Sequence, residues 1–145
     1  LYLDSTVNFV RKKLKEPCPT VDNALAKSVM RIIDTFFEKF RTPEAKYKKM
    51  TDEVKAIDAI IEGIFMYSLI WSMGVTTNEE GRKKFDAFMR DQFKSKTIDR
   101  SYLIPDEGTV YDYLFDVEKS TWVNWMATVP PYDIPNNSNF TELII

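Results

Sequence analysis

Residues 60–74 read IIEGIFMYSLIWSMG. This run decides the fold. With Val54 and Ile57 before it, the apolar residues Ile60, Ile61, Ile64, Phe65, Leu69, Ile70 and Trp71 lie almost all round a helix. A helix apolar on every side is buried at the centre of a bundle. The spacing predicts that it follows Thr51-Asp52 and ends at Gly74 as a C-terminal cap.

The flanking segments predict helices to cover it. Leu3, Val7, Val10 and Leu14 mark one face of a 3.6-residue period that ends before Pro17 and Pro19. A second helix follows Pro19, capped by Thr20 or Asp22, with an apolar face from Val21 through Leu25, Val29 and Ile33 to Phe40. Thr42-Pro43-Glu44 reads as another helix start, and Lys46 to Lys49 as a solvated helix or loop. Thr77 and Glu80 suggest a capping box before a fourth helix carrying Phe85, Phe88, Met89 and Phe93. After residue 100 the period falls to two. Thr109–Asp116 and Thr121–Val129 alternate around a polar turn at 117–120, which predicts a β-hairpin. Pro130, Pro131, Pro135 and Asn136-Asn137 follow as an extended linker, and Asn139–Ile145 as a final strand or edge segment. The fold class is mainly α: a bundle of four to five helices, a β-hairpin and an extended C-terminal segment.

The 145 residues are 44% hydrophobic, enough for a real core, so a disordered tail is excluded. There is no His and one Cys, Cys18. Ser-His-Asp and Cys-His catalysis are thereby excluded, and a zinc site is disfavoured. No leader pattern opens the chain, no apolar run approaches the ~20 residues of a membrane span, and a lone free Cys suits a reduced compartment. The opening Leu1 and the strand-like ending Leu143-Ile144-Ile145 suggest a piece of something longer. Residues 1–100 carry 19 basic and 15 acidic side chains; residues 101–145 carry one and seven, which suggests a boundary near residue 100.

Little chemistry is legible. Gly63, Gly74, Gly81 and Gly108 are isolated and form no phosphate-cradling loop. The pairs Asp52-Glu53 and Glu79-Glu80 open helices, and Asp106-Glu107 sits in a turn, so solvated roles outweigh acid–base work. The basic clusters at 11–15, 46–49 and 82–84 lack interleaved aromatics, which favours solvated faces over nucleic acid. The aromatics Trp71, Tyr111, Tyr113, Phe115, Trp122 and Trp125 are the largest apolar resource, read as packing and interface residues. A two-stranded hairpin is marginal alone and has to dock on the helices or on a neighbour.

Several runs together resemble dynein heavy chains, most nearly the axonemal type. These are Phe65 through Gly74, Gly81-Arg82-Lys83-Lys84-Phe85-Asp86, Gly108-Thr109-Val110-Tyr111-Asp112-Tyr113, Trp122 with Trp125, Val129-Pro130, and Phe140 to Ile145. Phe9-Val10-Arg11-Lys12 and Pro19 to Asn23 also fit. The resemblance implies a motor ring of six AAA+ modules. Residues 1–100 would be the helical lid of the second module, 101–135 the hairpin and Pro-rich connector, and 136–145 the first segment of the third module.

On that resemblance the segment is not itself an enzyme. It would cap nucleotide in the second module of a microtubule-motor ATPase and couple it mechanically to the third, with ATP or ADP and Mg held by the parent ring and no cofactor by the segment alone. Its partners would be neighbouring AAA+ modules, and through the parent microtubules and other dynein subunits, in the cytoplasm, cytoskeleton and ciliary axoneme. No nucleic acid or membrane is implied. Asp22 and Asn23, at the start of the second helix, would lie nearest the phosphates; AAA+ lids often place an Arg there, and its absence would favour nucleotide held without hydrolysis. Leu143 and Ile144 would line an adenine pocket of the third module or form plain strand core. The rival reading is an independent helical protein-interaction module that uses its aromatic hairpin.

Overall fold

Helix α3, Met50–Ser72, is the element around which the others pack. The computed structural model describes residues 2–38, 50–96 and 103–131. Its other helices are α1 (Tyr2–Lys13), α2 (Asp22–Phe37) and α4 (Glu79–Lys96), so four helices precede the hairpin among the described residues. The end of the second helix near Arg41, the segment 42–49, the boundary near residue 100 and the C-terminal segment with Leu143 and Ile144 lie outside the described residues.

Of the apolar residues expected all round α3, Ile64, Leu69 and Ile70 are buried, whereas Ile61 is 46% and Trp71 38% exposed. Ile64, Met66, Leu69, Ile70 and Met73 are fully enclosed. Around them close Val10 of α1, Leu25 and Val29 of α2, and Phe85, Met89 and Phe93 of α4. Each such side chain contributes about 1.5–3 kcal/mol on leaving water. Phe9 of α1 stacks on Phe88 of α4 with centroids 4.1 Å apart. Polar groups inside this core are satisfied locally. Ser68 donates to the Ile64 carbonyl at 2.7 Å, and Ser72 donates to the Ser68 carbonyl at 2.6 Å. A buried hydroxyl without a partner would cost about 1–3 kcal/mol.

Three expected caps are replaced by others. The second helix is capped by Val21, without a side-chain bond, because Thr20 donates to Glu16 and Asp22 pairs with Arg11. Before α4 the cap is Asn78, whose Oδ1 accepts the Gly81 N–H at 2.9 Å. Thr77 is buried and donates instead to the Lys15 carbonyl at 3.0 Å, tying the end of α1 to the start of α4. Glu80 pairs with Lys84, which holds its carboxyl below the usual range. Gly74 opens a single 3₁₀ turn, Gly74–Thr76, rather than a left-handed cap. It is glycine for want of room: a Cβ there would stand 2.5 Å from Phe85.

The hairpin forms, shorter than its alternation suggests. Strand β1 is Tyr113–Asp116 and β2 is Thr121–Asn124, antiparallel, with Phe115 opposite Trp122. Residues Val110–Asp112 make a 3₁₀ turn instead of strand. The cause is local: Asp112 Oδ2 accepts from the Thr109 N–H at 2.7 Å and from its hydroxyl at 2.8 Å, behind Gly108 at φ +67°. Such side-chain bonds to nearby backbone compete with the ladder. At the far end Asn124 Oδ1 accepts the Met126 N–H, and Trp125–Ala127 turns out of the strand.

Tyr113, Phe115 and Trp122 point inward and belong to the same apolar core as the helices. Phe115 sits where α3 has Gly63; a Cβ at residue 63 would collide with its ring. Gly63→Ala therefore sets about 1 kcal/mol of gained helix propensity against about 1–3 kcal/mol of overpacking. The variant is expected to unfold at lower denaturant concentration than the wild type; an unchanged or higher midpoint in chemical denaturation would show that the ring is free to give way.

Candidate functional site: the junction of helix α4 and the hairpin

Three separated stretches of sequence converge at one junction. From α4 come Phe85, Asp86 and Arg90; from 103–112 come Pro105, Gly108, Val110 and Tyr111; from the end of α3 come Trp71 and Gly74. Asp86 Oδ1 accepts the Val110 N–H at 2.7 Å and Arg90 Nε at 3.1 Å. Arg90 Nη1 donates to the Pro105 carbonyl at 2.7 Å, and Nη2 to the Gly108 carbonyl at 3.1 Å. Tyr113 donates to the Glu107 carbonyl at 2.8 Å, closing the same loop from the hairpin side. Residues four apart on a helix share a face, which lets Asp86 and Arg90 act together.

Tyr111 is the second attachment. Its hydroxyl donates to the Gly74 carbonyl at 2.7 Å, and its ring meets Trp71 edge-on at 6.4 Å. The Arg82 guanidinium lies 5.9 Å from the ring centroid. Burial pushes the Tyr111 phenol above its ordinary pKa; the Arg82 charge opposes that rise and the Asp86 charge adds to it. On the inner face Phe115 and Trp122 pack at 5.3 Å, and Phe93 meets Trp122 edge-on at 6.0 Å.

Of the six expected packing residues, Tyr113, Phe115 and Trp122 are buried, and Tyr111 and Trp71 meet at the junction. Trp71 keeps 38% of its surface exposed. Trp125, Met126 and Val129, in the chain just beyond β2, are 39%, 61% and 48% exposed. Asp22 and Asn23 are exposed at the start of α2. That helix start does have an arginine beside it, but from α1: Arg11 Nε lies 2.8 Å from Asp22 Oδ1, and Nη1 lies 2.5 Å from Glu16. With Asp22 presenting a carboxylate and Arg11 already paired, these residues do not by themselves fit a nucleotide phosphate. Among the described residues no group of three His, Cys, Asp or Glu side chains is placed to hold a metal, and no helix is long and apolar enough to cross a membrane. Sequence reading placed Asp86 in a family-like run but gave it no role, and missed Arg90; the signal for the pair was their i,i+4 spacing of opposite charge.

The model of the dynein heavy chain AAA lid domain matches residues 1–127. Dynein axonemal heavy chain 1 of Mus musculus is 27% identical over 99% of this chain, and the Rattus norvegicus protein of that name is 31% identical over 79%. A flagellar inner-arm dynein-1-beta heavy chain of Chlamydomonas reinhardtii is 39% identical over 46% of the chain. This chain spans 4% of the mouse relative, 2% of the rat and 1% of the algal one. No solved structure gives a significant match.

The raised Tyr111 pKa has a definite sign. Below the ordinary tyrosine value of 10.0 both states keep the proton; above it the unfolded chain releases a proton that the folded chain retains. Stability therefore falls as pH rises through that value. Tyr111→Phe is expected to lose about 0.5–1.5 kcal/mol near neutral pH, with the Gly74 bond, and to show a shallower loss between about pH 9 and 11. Urea midpoints across that range check it; equal slopes in both proteins would remove Tyr111 as the cause.

Proposed function

This chain belongs to the dynein heavy chain AAA lid family, and from that premise we propose that it is a coupling segment inside a dynein motor ring. In this reading it caps nucleotide held by the second AAA+ module and passes lid movement to the third. Residues 1–100 are the lid, 101–135 the hairpin and connector, and 136–145 the start of the next module. The parent is an ATP-driven microtubule motor of the ciliary axoneme, its nucleotide and Mg bound by the ring. The segment performs no chemistry of its own.

The observation that carries this reading is the junction. The hairpin is joined to α4 and to the end of α3 by charged and backbone hydrogen bonds and shares one apolar core with the helices. A lid bonded in this way to the chain that leaves it supports transfer of movement as a rigid body. The rival reading, a free module recruiting a partner through its aromatic hairpin, is weakened by the burial of Tyr113, Phe115 and Trp122 inside the protein. The exposed Trp125, Met126 and Val129 suit contact with the module that follows.

Asp22 and Asn23 remain candidates for the part facing nucleotide only in the assembled ring, where another module supplies the phosphate-binding groups. Leu143 and Ile144 are proposed for the adenine side of the third module or for its strand core.

Sequencing the parent transcript tests the proposal. A GxxxxGK[ST] loop encoded upstream of residue 1 and a second downstream of residue 145 are expected. A transcript with neither loop would overturn the ring assignment.

A further inference from the structure

Two kinds of force hold the hairpin on the bundle, and they do different work. Burial of Val110, Tyr113, Phe115 and Trp122 supplies adhesion. That force is non-directional and follows area, so it resists removal of the hairpin more than small slides across the helices. Direction comes from the polar set on α4. Arg90 and Asp86 retain only 14% and 19% of their side-chain exposure. The guanidinium reaches three different acceptors, Asp86 Oδ1 and the carbonyls of Pro105 and Gly108, from three different nitrogens. Its planar fork is rigid, so the three bonds fix the loop against α4 in distance and in rotation. The Asp86 oxygen that receives Nε also receives the Val110 N–H, the amide that opens the turn leading into β1. One ion pair thus grips the loop before the hairpin at Pro105, Gly108 and Val110. The exposed Asp106 lies 3.6 Å from Arg90 Nη1 and 3.5 Å from Lys94 Nζ, two longer pairs that add little in water.

We propose that Arg90 and Asp86 form a positioning latch that sets the hairpin on α4 and makes the lid and its connector move as one. This rests on the coupling function proposed above. Both act through the backbone of residues 105–110. Lysine at position 90 would keep the charge but carries all its donors on one nitrogen, so it cannot span the three acceptors. Asparagine at position 86 keeps an oxygen for Arg90 and Val110; alanine keeps nothing.

The test uses the full parent heavy chain with Arg90→Lys, Asp86→Asn and Asp86→Ala. Two quantities are read: hydrogen exchange of amides in 105–116, and the ratio of microtubule-stimulated to basal ATP turnover. With Arg90→Lys and Asp86→Ala, exchange in 105–116 is expected to speed up about tenfold or more, while core amides of α3 and α4 keep their protection. The turnover ratio falls in the same two variants, and Asp86→Asn stays near the wild type in both readouts. Unchanged exchange at 105–116 would overturn the latch. So would equal acceleration across α3, α4 and the hairpin, which marks general loss of fold. Selective acceleration with an unchanged turnover ratio would leave a latch that holds the hairpin and overturn its part in coupling.

Discussion

The C-terminal half of α3 has to be covered on nearly every side, and the rest of the structure answers that requirement. From Ile64 to Met73 successive apolar residues face different directions, so one neighbouring helix is not enough. Helices α1, α2 and α4 each bring an apolar stripe, and the side left open receives Phe115 of the hairpin. Gly63 makes that approach possible by leaving the ring its space. The hairpin is thus part of the core, although it begins beyond a change in hydrophobic period and in charge.

Apolar burial assembles these parts, and polar contacts decide how they sit. The Thr77 hydroxyl on the Lys15 carbonyl links the end of α1 to the start of α4. The Tyr2 hydroxyl on Glu62, at 2.9 Å, links α1 to α3. Asp86 and Arg90 do the same between α4 and the loop before β1. Each contact joins elements far apart in the chain, and no buried side-chain polar atom is left unpaired among the described residues. For the coupling role proposed above, directional contacts of this kind separate a transmitted movement from one absorbed by sliding.

The legibility of the site differs residue by residue. Phe115 and Trp122 were readable as packing residues, because a two-stranded hairpin has to bury its aromatic side chains; that they stand opposite each other is set by the register. Trp125 was grouped with them only as a large aromatic, since alternation puts residues 122 and 125 on opposite faces; Asn124 Oδ1 accepts the Met126 N–H and Trp125 opens a 3₁₀ turn. Thr77 looked like a cap because threonine three residues before glutamate satisfies a local rule. In the structure Asn78 takes the cap one residue later, accepting the Gly81 N–H, and the Thr77 hydroxyl donates to the Lys15 carbonyl. The junction of Asp86 and Arg90 left little trace: Asp86 closes a family-like run, but an acid and a base four apart on a helix are commonplace.

By itself the sequence determined the helices, the presence of the hairpin, most residues of the core and membership of the lid family. All of these follow from periodicity, from the cost of leaving apolar surface in water, and from runs of residues kept in a fixed order. Only the tertiary structure decided which polar groups meet: Arg11 with Asp22, Thr77 with Lys15, Asp86 with Val110. The reason is physical. Hydrophobic patterning reports which side of an element turns inward, whereas a hydrogen bond needs two particular atoms within about 3 Å, and that distance is set only when the elements have packed.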